Sequence, residues 1–178
     1  MLDDRTFRSP NNAPADTART VLGNRQFQWL LDALKFSQAT FKFVVIGGQV
    51  INPARVAENF ANYAKEREQL IQAITQARIP GVLFLTGDRH HTILHQLDRS
   101  GTYPLYDLTV SPLTSGTARP GDEDLRQPTV VNGTLVTDHN FAILDVTGPL
   151  KDRVLSIKIF DANGTQRWTR DIRATDLR

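Results

Sequence analysis

Cysteine is absent from the 178 residues, which removes disulfides, thiolate zinc sites and cysteine nucleophiles together. Compartment is left open by that. No apolar run approaches the roughly 20 residues that a membrane-spanning helix needs, and the opening Met1-Leu2-Asp3-Asp4-Arg5 lacks the basic start and apolar stretch of a signal peptide. Charge of one sign is missing too: 21 basic residues barely outnumber 19 acidic ones, for a formal net charge of +2. The pI is about 9.1, yet the arginines are scattered and no basic run is interleaved with aromatics, so nucleic acid is not expected as a dedicated partner. No Gly-x-Ser-x-Gly elbow surrounds Ser111 or Ser115, which excludes a serine nucleophile of that kind.

What is there fits one domain spanning residues 1–178, with 40% hydrophobic residues to supply a core. Residues 9–19, with two prolines and two asparagines, read as a loop. Phe27, Leu30, Leu31 and Leu34 recur at helical spacing, so the stretch from Arg25 to Ser37 is expected to be an amphipathic helix capped by Asn24. Phe41 to Ile46 reads as a buried strand closed by Gly47-Gly48-Gln49, a pair of glycines that permits a sharp turn or close approach to a ligand. A second helix is expected from Ala57 to Arg78, with Leu70, Ile74 and Ala77 inward and Glu66, Arg67, Glu68 and Gln69 in solvent.

Gly81 to Leu85 is a second apolar strand, and it ends in Gly87-Asp88-Arg89-His90-His91. Helix, strand, helix, strand predicts neighbouring parallel strands with a right-handed crossover, which places both glycine-rich turns at one carboxyl edge where ligands gather. Asp88 and His90 are two apart, so an extended chain would project a carboxylate and an imidazole to one side, as a pair of metal ligands. The plainer alternative is a turn-forming Asp followed by surface histidines.

Further along, 92–97 reads as a short strand or a turn of helix, 104–110 as a strand, and 117–129 as a long polar loop, the segment expected to be most mobile. Strands are expected over 140–146, 153–160 and 165–172, the last two joined by the hairpin signal Asn163-Gly164. The chain is therefore α/β, with a parallel or mixed sheet in residues 40–110 followed by antiparallel strands.

These residues, in this order, resemble the alkaline phosphatase D (PhoD-like) family of the calcineurin-like metallophosphoesterases. The resemblance runs from Leu2-Asp3-Asp4-Arg5…Arg8 through the Trp29-Leu30 helix, Glu58-Asn59-Phe60…Tyr63 and Gly87-Asp88-Arg89-His90. It continues through Tyr106-Asp107-Leu108-Thr109-Val110-Ser111-Pro112 and Asn140-Phe141. It implies the carboxyl-terminal half of an αββα sandwich and a binuclear metal centre, with iron and calcium the implied ions, hydrolysing a small phosphate monoester or diester. Gly87-Asp88-Arg89-His90 stands where the superfamily has Gly-His-x-His, so Asp88 and His90 would ligate metal. Arg89 and His91 would meet substrate, Arg89 by a bidentate contact to phosphate unless it forms a structural ion pair. Asn59, Tyr63, Asp3, Asp4, Arg5 and Arg8 are secondary candidates for the pocket; His95 and His139 stand apart from other donors.

Gly47-Gly48-Gln49 departs from the superfamily, which usually has a histidine at that place. The family's earlier ligands precede the motif with which this chain begins, so a missing amino-terminal half is an implied partner. A periplasmic or secreted location is implied by the family. Two other readings stand beside the phosphatase: a catalytically inactive fragment or interaction module, and an α/β binding domain without metal. Isolated, a half-fold is expected to expose sheet edges and apolar faces.

Overall fold

The computed structural model describes residues 1–14 and 19–178; residues 15–18 of the expected first loop lie outside them. Helix α1 (Gly23–Phe36) buries Leu30, Leu31 and Leu34, with Phe27 packed against the core, as the spacing predicts. Its start differs from expectation. Asn24 lies inside the first turn, and the position before the helix, Leu22, has no side-chain cap. Instead the Glu66 carboxylate accepts from the backbone N–H groups of Val21, Leu22 and Gly23, the last two at 3.1 and 3.0 Å. An acid expected in solvent is thus only 4% exposed and serves as the cap from another helix.

Strand β1 (Lys42–Val45) is followed by a 3-10 turn (Phe60–Tyr63) and helix α2 (Ala64–Gln76), shorter at both ends than expected. The limits are physical: Ala57 and Arg78 have φ of +45° and +48°, which no right-handed helix accommodates. Arg67, also expected in solvent, donates to the carbonyls of Val50 and Ile51 at 2.6 Å each, and so fastens the loop after β1 to α2.

Strands β2 (Val82–Thr86), β3 (Ile93–Leu97) and β4 (Leu105–Thr109) complete a sheet of order β1-β2-β4-β3. The first three in that order are parallel, and β3 runs antiparallel to β4. The expected strand or turn of helix at 92–97 is strand from Ile93, and its outer edge is covered, His95 bridging to Val130 and the preceding Thr92 to Val136. Past a four-residue helix α3 (Asp122–Leu125), strands β5 (Asn140–Thr147), β6 (Val154–Asp161) and β7 (Gln166–Arg173) form the antiparallel sheet, each within a residue or two of its expected bounds. Leu155, Ile157 and Ile159 alternate inward along β6 and join Phe84, Leu94, Leu105 and Leu108 in one core. The parallel or mixed sheet with antiparallel strands after it is the architecture that the sequence implied. Among the described residues no helix is long and apolar enough to cross a membrane.

Candidate functional site

The carboxyl ends of β1 and β2 lie side by side. The Gly87 N–H donates to the Gly47 carbonyl at 2.9 Å, one step beyond the ladder bond from Ile46 N–H to Leu85 O. The two glycine-rich turns therefore share one edge, the edge at which open α/β sheets collect ligands.

The chain does not stay extended past Gly87. Asp88 and His90 both adopt the left-handed conformation, with φ of +65° and +58°. Asp tolerates this better than most residues because its short polar side chain can bond locally. The tight turn, rather than an extended strand, is what presents the pair. Asp88 is exposed and His90 half-buried, and among the described residues the His90 ring has no hydrogen-bond or ion-pair partner.

The opening segment reaches this edge. Leu2 N–H donates to the Val45 carbonyl at 2.8 Å, and Asp4 then rests on the glycine pair, its Oδ2 accepting from Gly48 N–H at 3.2 Å. A Cβ on Gly47 would stand 2.5 Å from that oxygen, and one on Gly48 would stand 2.9 Å from the Glu58 carbonyl. The glycines are needed for these close approaches within the protein. Arg5, 57% exposed, pairs with Glu58 and lies 3.9 Å from Asp88 Oδ1. Arg8 meets the same Glu58 at 3.1 Å and donates to the Tyr63 hydroxyl at 2.8 Å. The hydrogen bond from Arg8 is the main influence that holds the Glu58 carboxyl below its ordinary range; burial opposes it, and the Arg5 hydrogen bond and the two guanidinium charges add to the lowering.

Arg89 and His91, expected to meet substrate, face inward instead. Arg89 Nη2 donates to Asp124 Oδ2 at 2.7 Å, the two side chains 11% and 7% exposed. His91 is 2% exposed, and its Nδ1 is buried without a partner. Burial, and next the Arg89 charge, push its pKa down to about 4. His95 is 1% exposed, its Nδ1 lies 3.0 Å from Thr129 Oγ1, and burial pushes it also to about 4. His139 stands at the surface against the Ser115 carbonyl. Asn59 is buried and donates to the Ala54 carbonyl, and Tyr63 is buried beneath Arg8 and Arg19. Asp3 caps the local turn through the N–H groups of Arg5 and Thr6.

Sequence reasoning passed over a buried polar chain beneath the edge. Asp107, fully buried on β4, accepts from Val50 N–H, Ile51 N–H and Thr86 Oγ1, although burial still pushes its carboxyl up. Gln49 donates to Thr109 Oγ1, and the Asn52 amide donates both to Gln49 Oε1 and to Asp124 Oδ1. The signal available was the lone acid inside the apolar strand Leu105-Tyr106-Asp107-Leu108: a charge seldom sits there without donors to meet it. Asp124 lay in a polar loop and carried no such signal.

Carboxylate and imidazole at an open turn are donor types that suit a metal ion. Their number does not close a site: among the described residues no three His, Cys, Asp or Glu side chains stand together so as to hold one.

The family model for PhoD-like phosphatases matches residues 1–150. The chain belongs to the PhoD-like phosphatase family. A solved structure described as "Structure of PhoD" shares the fold with a TM-score of 0.69 at 18% sequence identity, over 96% of this chain and 41% of that one. This PhoD-like chain thus spans about two-fifths of the length of that solved relative. No curated protein matches it. The match covers both turns and the opening segment, so the edge described above lies within the PhoD-like region.

Proposed function

We propose that this chain supplies one wall of a phosphoesterase site, with Asp88 and His90 as donors to a metal ion and Arg5 as the group that meets a phosphate oxygen. The observation that carries the reading is the convergence, in a PhoD-like chain, of the Gly87–His90 turn with Asp4, Arg5 and Glu58 at one carboxyl edge. Arg5 is the exposed guanidinium of the set, and its fork suits a phosphate held in two places. Arg89 and His91 act from within, the first through Asp124 and the second as a buried neutral imidazole that shapes the turn. The substrate is a small phosphate ester, and the donors that would complete a binuclear centre come from polypeptide outside this sequence.

The shortage of donors favours a second reading, an inactive fragment or interaction module that keeps the fold without turnover. Hydrolysis of p-nitrophenyl phosphate and bis(p-nitrophenyl) phosphate, with and without added metal, separates the two. The phosphoesterase reading expects metal-dependent turnover that Asp88→Asn lowers at least a hundredfold, and a raised KM with little change in kcat for Arg5→Ala. Turnover indifferent to Asp88→Asn contradicts it, and no turnover under any metal leaves the interaction module.

A further inference from the structure

The turn that presents Asp88 and His90 holds two non-glycine residues in the left-handed region, a backbone that residues with a side chain seldom keep unless their surroundings enforce it. The enforcement comes from the segment expected to be mobile. Ala118 N–H donates to the His90 carbonyl at 2.8 Å. Asp124, on the short helix α3, takes the guanidinium of Arg89, the residue between the two left-handed ones, at 2.7 Å. Its other oxygen accepts from Asn52 at 3.0 Å, and that amide nitrogen also donates to Gln49 at 2.8 Å. One carboxylate therefore ties the loop after β1 to the turn after β2, from behind the edge.

An ion pair this buried is poor evidence for stability, because removing both charges from water offsets most of their attraction. What the pair does supply is direction. With its guanidinium drawn inward to Asp124, Arg89 leaves the side chains on either side of it at the surface of the edge, one exposed and one half-buried. We propose that Asp124 is a positioning residue, which acts through Arg89 to hold the turn in the conformation that presents Asp88 and His90. The functional part of this assignment rests on the reading of those two residues as metal donors. Outer partners of this sort typically govern metal affinity by 10–100-fold without touching the ion.

The test compares the full chain with Asp124→Asn, and with Asp122→Asn as the control. Asp122 lies on the same helix, carries the same charge, and pairs only at the surface with Arg126. Amide hydrogen exchange, followed by NMR well below the unfolding temperature, should be at least tenfold faster at Arg89 and at Ala118 in Asp124→Asn. The amides of β2 and β4 should be unchanged, and Asp122→Asn should match the parent throughout. In a second arm Mn²⁺ is titrated, and the concentration that broadens the Gly87–His91 signals should rise 10–100-fold in Asp124→Asn. Should Asp124→Asn fail to fold, Asp124→Glu keeps the charge one methylene further out and should show intermediate exchange. Exchange at Arg89 and Ala118 equal to the parent's, or a rise spread evenly over β2 and β4, overturns the positioning role. If Mn²⁺ broadens no signal in the parent, the metal reading fails, and the exchange arm alone decides whether Asp124 holds the turn.

Discussion

Asp107 has no solvent, yet three donors end on its carboxylate: two from the backbone after β1 and one from Thr86. Removing it would strand those donors in the core, where each unmet group costs about 1–3 kcal/mol. Asp107→Ala is therefore expected to lower unfolding free energy by about 3 kcal/mol or more in urea titration, whereas a loss under 1 kcal/mol would mean that the loop closes over the gap. His95 makes a pH-dependent contribution. Its folded pKa of about 4 lies below the ordinary 6.5 because of burial, so the unfolded chain takes a proton that the folded one refuses. Stability from this group is full above pH 6.5, is lost as pH falls toward 4, and levels off below that. The shift corresponds to roughly 3 kcal/mol. His95→Gln should remove that part of the slope, measured as the difference between urea titrations at pH 7 and pH 4.5; parallel losses in parent and variant would contradict it.

At the scale of elements, the spacing of Leu30, Leu31 and Leu34 and the alternation of Leu155, Ile157 and Ile159 were legible, because apolar period follows directly from helix and strand geometry. The ends of elements were not. Helix α1 is capped by Glu66, distant in sequence, and α2 is cut short by Ala57 and Arg78, whose left-handed backbone no local propensity announces. The same blindness applies at the site. Gly-Asp-Arg-His was visible as a turn of ionisable groups at a strand end, but whether Arg89 pointed out to solvent or in to a partner depended on Asp124, 35 residues on. A cap made across the fold gives a measurable expectation: Glu66→Ala leaves three N–H groups without their acceptor, and should lower stability by about 2 kcal/mol or more. Selective loss of protection at the α1 amides in hydrogen exchange would locate the effect; an unchanged α1 would refute it.

For the whole molecule, the sequence implied a half-fold with open edges, and the sheet bears such an edge at β1. Leu2 alone among the described residues donates to the outer side of that strand. Beside it Met1 and Trp29 are 93% and 57% exposed, and a cleft of about 530 Å³ opens between Met1, Phe7, Leu22 and Trp29. An apolar face next to an unpaired edge favours association. Light scattering across a hundredfold range of concentration should show reversible self-association of the isolated chain that Trp29→Glu reduces; a monomer throughout would contradict this.

At the carboxyl edge Gly87 bonds to Gly47, and the opening segment brings Arg5 beside Asp88. As one wall of a phosphoesterase site, this edge is proposed to face a cation. Calorimetric titration of Mn²⁺ into the parent chain, Asp88→Asn and His90→Ala tests it most directly. Weak saturable binding in the parent, reduced at least tenfold by either substitution, is the predicted result. Equal binding in all three proteins would place any metal elsewhere and contradict the account.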